Sequence, residues 1–144
     1  VDIKLIKSLQ KLLANVVNEY FHAHGFHWNV IGSDFAQLHK FFQKIYEDVY
    51  ESIDSIAEIL RKLDVKSPFH LSDFIELKTT GEVNPLEAMD MIYELGVIND
   101  AVIANLVEVF DLANDANEQG VCNFIAGRIE MHQKWAWQIR SFKG

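Results

Sequence analysis

Residues 26–58 read FHWNVIGSDFAQLHKFFQKIYEDVYESIDSIAE, and this stretch decides both the fold and the place of the chemistry. From Asp34 onward, Phe35, Leu38, Phe42, Ile45, Val49, Ile53 and Ile56 recur at three- and four-residue spacing and continue to Leu60. That spacing predicts one helix from about Asp34 to Leu63. Such a helix is about 45 Å long and needs parallel and antiparallel neighbours of similar length, the arrangement of a helix bundle.

The same stretch holds two histidines, His27 and His39, and two carboxylates, Asp54 and Glu58, four apart on one helix face. Imidazole with carboxylate oxygen suits iron, zinc or manganese, and the lack of thiolate partners argues against a closed structural zinc or an iron–sulfur site. On a single helix His39 and Asp54 stand about 22 Å apart, too far to share one metal. Either the two pairs are unrelated, or a second copy running antiparallel across a two-fold axis brings its carboxylates to the first copy's histidines. A two-fold contact is isologous, so the second arrangement yields two identical shared sites.

Working outward, Ile6, Leu9, Leu13, Val16, Val17 and Tyr20 mark an amphipathic first helix that reaches to about His27 or Asn29. Gly32 stops it and Ser33 offers a fresh N-cap, with Asp34 favourable at the positive helix end. From Asp64 to Asn84 the pattern breaks at Ser67-Pro68 and Thr79-Thr80-Gly81. Leu71, Phe74 and Ile75 between them predict a short helix capped by Ser67 or Ser72. A connector of that length suits a crossover, not a hairpin. Asn84-Pro85 reads as the start of a third long helix through Leu95 and Leu106 to about Ala113. A turn at Asn114–Asn117 then leads to a fourth, carrying Val121, Ile125, Ile129, Trp135 and Ile139.

The chain has 144 residues, 49% of them hydrophobic, and a formal net charge of −8. Its size fits a single domain, 1–144, with a real core. No run of eighteen apolar residues occurs and the first residues do not form a signal peptide, so a soluble, cytoplasmic protein is expected. The lone Cys122 excludes an internal disulfide, fits a reducing compartment, and reads as a small buried apolar side chain. The acidic balance speaks against a general nucleic-acid footprint and suits a protein that gathers cations.

At this point the residues resemble the Dps family of ferritin-like mini-cages. The resemblance rests on His27-Trp28-Asn29, Gly32, His39, and Asp54 with Glu58, and at the far end on His132-Gln133-Lys134, Trp137, Ile139 and Arg140. It implies an all-α, ferritin-like four-helix bundle with a short extra helix in the long crossover between the second and third long helices. It further implies a homo-oligomer, a hollow shell of twelve subunits. In that shell His27 and His39 of one chain join Asp54 and Glu58 of the two-fold partner to bind iron, with zinc as a second metal for the same site. Fe(II) is then oxidised there, with hydrogen peroxide preferred over oxygen, and stored as Fe(III) oxide. Trp28, beside His27, is a radical scavenger or a packing aromatic.

Several positions depart from that pattern or stay outside it. The family usually carries Asp four residues after the second histidine, where this chain has Gln43; a neutral amide predicts one firm iron site and one weak one, with Asp34, Glu47 and Asp48 as substitutes. Glu19 and His22 form the chain's one E-x-x-H, against the two of a bundle-interior di-iron centre, and read as a surface pair. His24 reads as an exposed histidine near a helix end, with an auxiliary metal as the rival. Asp111, Asp115 and Glu118 are candidate pore acids and Glu47, Asp48 and Glu51 candidate nucleation acids. Trp135 and Trp137 fit packing or a subunit contact, while His70 and His132 receive no role. DNA binding is not expected, since the chain is acidic and shows no basic tail; a nucleoid-protecting role and a non-enzymatic zinc or iron store are the rival functions.

Overall fold

The computed structural model describes residues 2–144; Val1, almost at which the first helix is expected to begin, lies outside the described residues. Five helices follow one another with no strand among the described residues: α1 (Ile3–Asn29), α2 (Phe35–Lys62), α3 (Leu71–Leu77), α4 (Ala88–Asp115) and α5 (Gln119–Lys143). The four long ones form a bundle in which α1 packs on α2 and α4, and α4 on α5, while α3 lies on α1. Leu9, Leu12, Phe42, Ile45, Leu60, Ile92, Leu95 and Leu106 are fully enclosed at its centre. Each such side chain stabilises the fold by roughly 1.5–3 kcal/mol relative to exposure.

The helix ends show why the chain turns where it does. Asp2 caps α1, its Oδ1 accepting from the Leu5 N–H at 3.0 Å. Gly32 takes φ of +114°, a backbone state that side chains other than glycine's rarely adopt, and so turns α1 into α2. The expected cap at Ser33 is corrected: Asp34 is the N-cap of α2, and its side chain makes no capping bond. Likewise α3 begins after His70, not after Ser67 or at Ser72, and Asp73 in its first turn accepts from the His70 N–H at 3.3 Å. Asn117, at φ +58°, makes the left-handed turn between α4 and α5.

The crossover is tied to α1 by polar side chains at fixed heights. Asn15 Oδ1 accepts from the Thr79 and Thr80 N–H groups at 2.8 and 3.2 Å, and its Nδ2 donates to Asn105 Oδ1 of α4 at 3.0 Å. Asn18 donates to the Thr80 hydroxyl at 2.8 Å and to the Gly81 carbonyl at 3.0 Å. His22 donates from Nδ1 to the Asn18 carbonyl at 2.8 Å and accepts at Nε2 from the Val83 N–H at 3.1 Å. The crossover therefore climbs along α1 before α4 turns back down it. The third long helix, α4, starts at Ala88 after the extended cap residue Glu87, later than the expected Asn84-Pro85.

Candidate metal centre

His27 lies in the last turn of α1 and His39 one turn into α2, so the Gly32 turn brings their rings face to face, 3.7 Å between centroids at 15°. His27 Nδ1 lies 2.7 Å from the His39 carbonyl oxygen, and His39 Nδ1 lies 2.7 Å from the His27 carbonyl oxygen. A carbonyl only accepts, so each Nδ1 carries the proton and each Nε2 keeps a free lone pair. Such a fixed tautomer, with the second ring nitrogen bonded to a backbone carbonyl, is how metal-ligating histidines are oriented. His27 is 9% exposed, and Phe35 stacks on the outer side of His39 at 4.9 Å.

Aromatic rings surround the pair. His24 is half-buried, not exposed as the sequence suggests: it stacks on Tyr46 at 3.8 Å and 9° and meets Trp28 at 4.0 Å and 34°. Its Nδ1 lies 2.8 Å from the Tyr20 hydroxyl. Burial, and then the neighbouring His27, holds the His24 pKa below the usual imidazole value. Tyr46 also touches the His27 ring edge-on at 5.1 Å. Trp28 is 64% exposed with one face on His24. Residue type does not mark Tyr20 or Tyr46 as part of a site, although both fall one or two helical turns from the histidines, at the spacing where side chains meet.

Asp54 and Glu58 lie exposed on α2, far along the same helix from His39. Asp54 lines a groove with Tyr20, His24, Tyr46, Tyr50 and Phe69. Among the described residues no three His, Cys, Asp or Glu side chains of the one chain converge on a metal-sized space. Gln43, where an acid is expected by resemblance, donates from Nε2 to Glu47 Oε1 at 2.7 Å, so Glu47 is engaged by its neighbour along the helix. Asp34 stays exposed at the start of α2, while Asp111 and Asp115 are exposed near the α4–α5 turn and Glu118 is half-buried there. Cys122 is half-buried, its Sγ 3.8 Å from the Phe110 carbonyl oxygen.

A second polar cluster lies inside the bundle, and it corrects two expectations. Glu19 is not half of a surface pair but is 0% exposed, its neighbours in the 12-16-19-23-26 row being core residues; His22, as described, pins the crossover. Asp48 is not a free surface acid: Arg128 donates to its two oxygens from Nη1 at 2.8 Å and Nη2 at 2.9 Å, and the Trp135 indole donates to Oδ2 at 2.8 Å. These bonds hold the Asp48 carboxyl below its usual range against the opposing effect of burial, which is the largest single influence on it. His132, also 0% exposed, accepts from Arg128 at Nε2 (3.0 Å) and donates from Nδ1 to Asn99 Oδ1 (2.8 Å).

Burial drives His132 down to about 3, so it is neutral, and pushes Glu19 up to about 8. Their 3.4 Å approach is thus a contact between two uncharged groups, not an ion pair. Both Glu19 oxygens lack a hydrogen-bond partner. The interior therefore carries one guanidinium against one carboxylate, with Glu19 protonated at neutral pH. Trp135 is buried as part of this network, whereas Trp137 is 56% exposed.

Comparison with known proteins agrees with this architecture. A ferritin-like domain model matches residues 6–143. A low temperature-induced protein of a Nostoc species is 34% identical over 122 residues, 81% of this chain and 67% of that protein. A DNA protection during starvation protein of Porphyromonas gingivalis is 24% identical over 139 residues, 96% of this chain and 87% of that one. The crystal structure of the Dps protein from Vibrio cholerae, described as a member of a superfamily of ferritin-like diiron-carboxylate proteins, superposes with a TM-score of 0.93 at 23% identity, covering 98% of this chain and 89% of that one. The chain belongs to the ferritin-like family and, within it, to the Dps group.

Proposed function

We propose that this protein takes up Fe(II), oxidises it at sites shared between two copies of the chain, and stores the Fe(III) oxide inside a closed homo-oligomeric shell of twelve. The observation that carries the reading is the reciprocal bonding of His27 and His39. It turns both imidazoles so that Nε2 is the ring nitrogen left for a metal, and two such ligands are two short of a four-coordinate site. The Asp54–Glu58 pair, far along α2 from His39, supplies the complement when it comes from a two-fold partner. Iron is favoured by the mixed imidazole–carboxylate set and by membership of a family built around iron. Peroxide is the oxidant in this reading, with the cytoplasm as the setting.

Gln43 favours one firm iron site per centre and a weak second one, since its amide is neutral and is engaged by Glu47. The same substitution is the observation that favours a second reading, a non-enzymatic store for zinc or iron. The net charge of −8 leaves a nucleoid-protecting role with little electrostatic support.

Stopped-flow oxidation of anaerobically loaded Fe(II), peroxide against oxygen, decides between them. Fast oxidation by peroxide that the Asp54→Asn, Glu58→Gln double variant loses supports the shared site. Equal rates in both proteins remove these carboxylates from the site. Slow oxidation together with tight zinc binding puts the storage reading first.

A further inference from the structure

Tyr20, packed against the edge of the core, forms with His24 a hydrogen-bonded pair that supplies no ligand to the proposed iron site. Tyr20 is half-buried at the edge of the groove, its hydroxyl 2.8 Å from His24 Nδ1. Ring contacts lead to it without a gap from the proposed iron ligand: His27 to Tyr46 at 5.1 Å, Tyr46 stacked on His24 at 3.8 Å, and Tyr20 to Tyr46 at 6.3 Å. Tyr50 lies 5.1 Å from Tyr20 on the far side.

Electron counting gives this chain of rings a task. Hydrogen peroxide takes two electrons and two protons to become two water molecules, but a single Fe(II) gives one electron. With Gln43 weakening the second iron position, the second electron has to come from elsewhere, or a hydroxyl radical is released. A phenol is a good one-electron donor only if its proton can leave at the same time. Among the tyrosines of the groove, Tyr20 alone has a base at hydrogen-bond distance; neither Tyr46 nor Tyr50 has such a partner among the described residues.

We propose that Tyr20, with His24 as its proton acceptor, supplies the second electron when peroxide is reduced at the His27–His39 iron site, an inference that rests on the iron-oxidising reading above. In the balanced step Fe(II) becomes Fe(III) and the O–O bond of peroxide breaks. The Tyr20 O–H bond breaks as well, its electron going to peroxide and its proton to His24 Nδ1, which leaves a neutral phenoxyl radical. Two protons, one relayed through His24 and one from solvent, complete the two waters. A further Fe(II) bound at the same site returns an electron, and the phenol takes back a proton. Two Fe(II) are thus consumed per peroxide although only one is held firmly.

The test is freeze-quench EPR of the assembled protein, loaded anaerobically with one Fe(II) per chain and mixed with one equivalent of peroxide. The expected result is an organic radical that narrows when the tyrosine rings are deuterated. It is lost in Tyr20→Phe, with spin-trapped hydroxyl radical appearing in its place, is lost or strongly reduced in His24→Leu, and survives in Trp28→Phe. A radical that persists in Tyr20→Phe, or disappears in Trp28→Phe, overturns the assignment. In the metal-free protein, oxidation by flash-generated ruthenium(III) is expected to show a fast tyrosine phase, slowed in heavy water and absent from both Tyr20→Phe and His24→Leu; a fast phase retained in Tyr20→Phe overturns it again. Iron oxidation without a Tyr20 radical refutes this proposal alone, whereas no iron oxidation in any of the proteins refutes the iron reading and this proposal with it.

Discussion

Replacing Glu19 by glutamine should stabilise the protein in a way that depends on pH, and the size follows from its surroundings. Burial against the bundle core, only partly offset by the Arg128 guanidinium and worsened by Asp48 and Asp100, raises its folded pKa from 4.5 to about 8. Below pH 4.5 the carboxyl is protonated in both folded and unfolded chains, so its ionisation makes no difference to stability, and the cost of burying an unpartnered neutral carboxyl does not change with pH. Between 4.5 and 8 the unfolded chain releases the proton and the folded chain does not, so stability falls by about 1.4 kcal/mol per pH unit. Above 8 the loss levels off at about 5 kcal/mol.

His132, held neutral by burial, acts in the opposite sense: its contribution is complete above the unfolded value of 6.5 and is lost as pH falls toward about 3. Measurements from pH 6.5 upward therefore isolate Glu19. Over the interval from 6.5 to 8 the wild-type protein should lose about 2 kcal/mol relative to Glu19→Gln. Urea unfolding of both proteins at matched concentration and ionic strength reads this difference from the midpoints at constant slope. Any penalty for burying the extra amide N–H groups is a constant offset, so the pH dependence of the difference is the diagnostic quantity. Parallel curves over this interval would mean that Glu19 is ionised in the folded state, and the desolvation argument would be wrong. A protonated-carboxyl band at neutral pH, seen by infrared difference against Glu19→Gln, is the matching spectroscopic check.

Removing the cation of this network with Arg128→Leu should cost about 1.5–3 kcal/mol, because it leaves the half-buried Asp48 carboxylate with only the Trp135 indole; chemical denaturation should also show that Arg128→Leu, Asp48→Leu together cost less than the sum. Asn15→Ala should cost about 1–3 kcal/mol, and hydrogen exchange should find the Thr79 and Thr80 amides, now without their acceptor, losing protection before those of α4. Gly32→Ala meets no steric neighbour but cannot relax its φ of +114°, so thermal unfolding should show a loss of about 1 kcal/mol or more.

The long helices were legible because their apolar residues keep one face over many turns, as with Phe35 to Leu60. The crossover was legible because Pro68 and Thr79-Thr80-Gly81 interrupt that face. Helix starts were less so. Asn84-Pro85 carries a sound local signal, yet the crossover is still held to α1 at Val83, by a bond to His22 sixty-one residues away in the chain, and the helix begins only at Ala88; no local signal encodes that tether. The histidine pair could be picked out by type and spacing, but its fixed tautomers depend on a close approach of α1 and α2 that no spacing encodes. Glu19 and His22 share the E-x-x-H spacing but do different things, Glu19 being enclosed by the core and His22 holding the crossover. The place of Glu19 between Val16 and Ala23 marks it as interior, and an apolar row with one carboxylate in it is itself the signal. Asp48 could be recognised as internally paired only once α5 had placed Arg128 and Trp135 opposite it.

The crossed bonds between His27 and His39 make the two side chains a mutual splint, since each ring is braced by the other residue's own backbone. His27→Ala leaves the His39 ring with its acceptor but without the ring it rests against, and His39→Ala does the converse. In a double-mutant cycle read by metal affinity, the second alanine should therefore add little to the first.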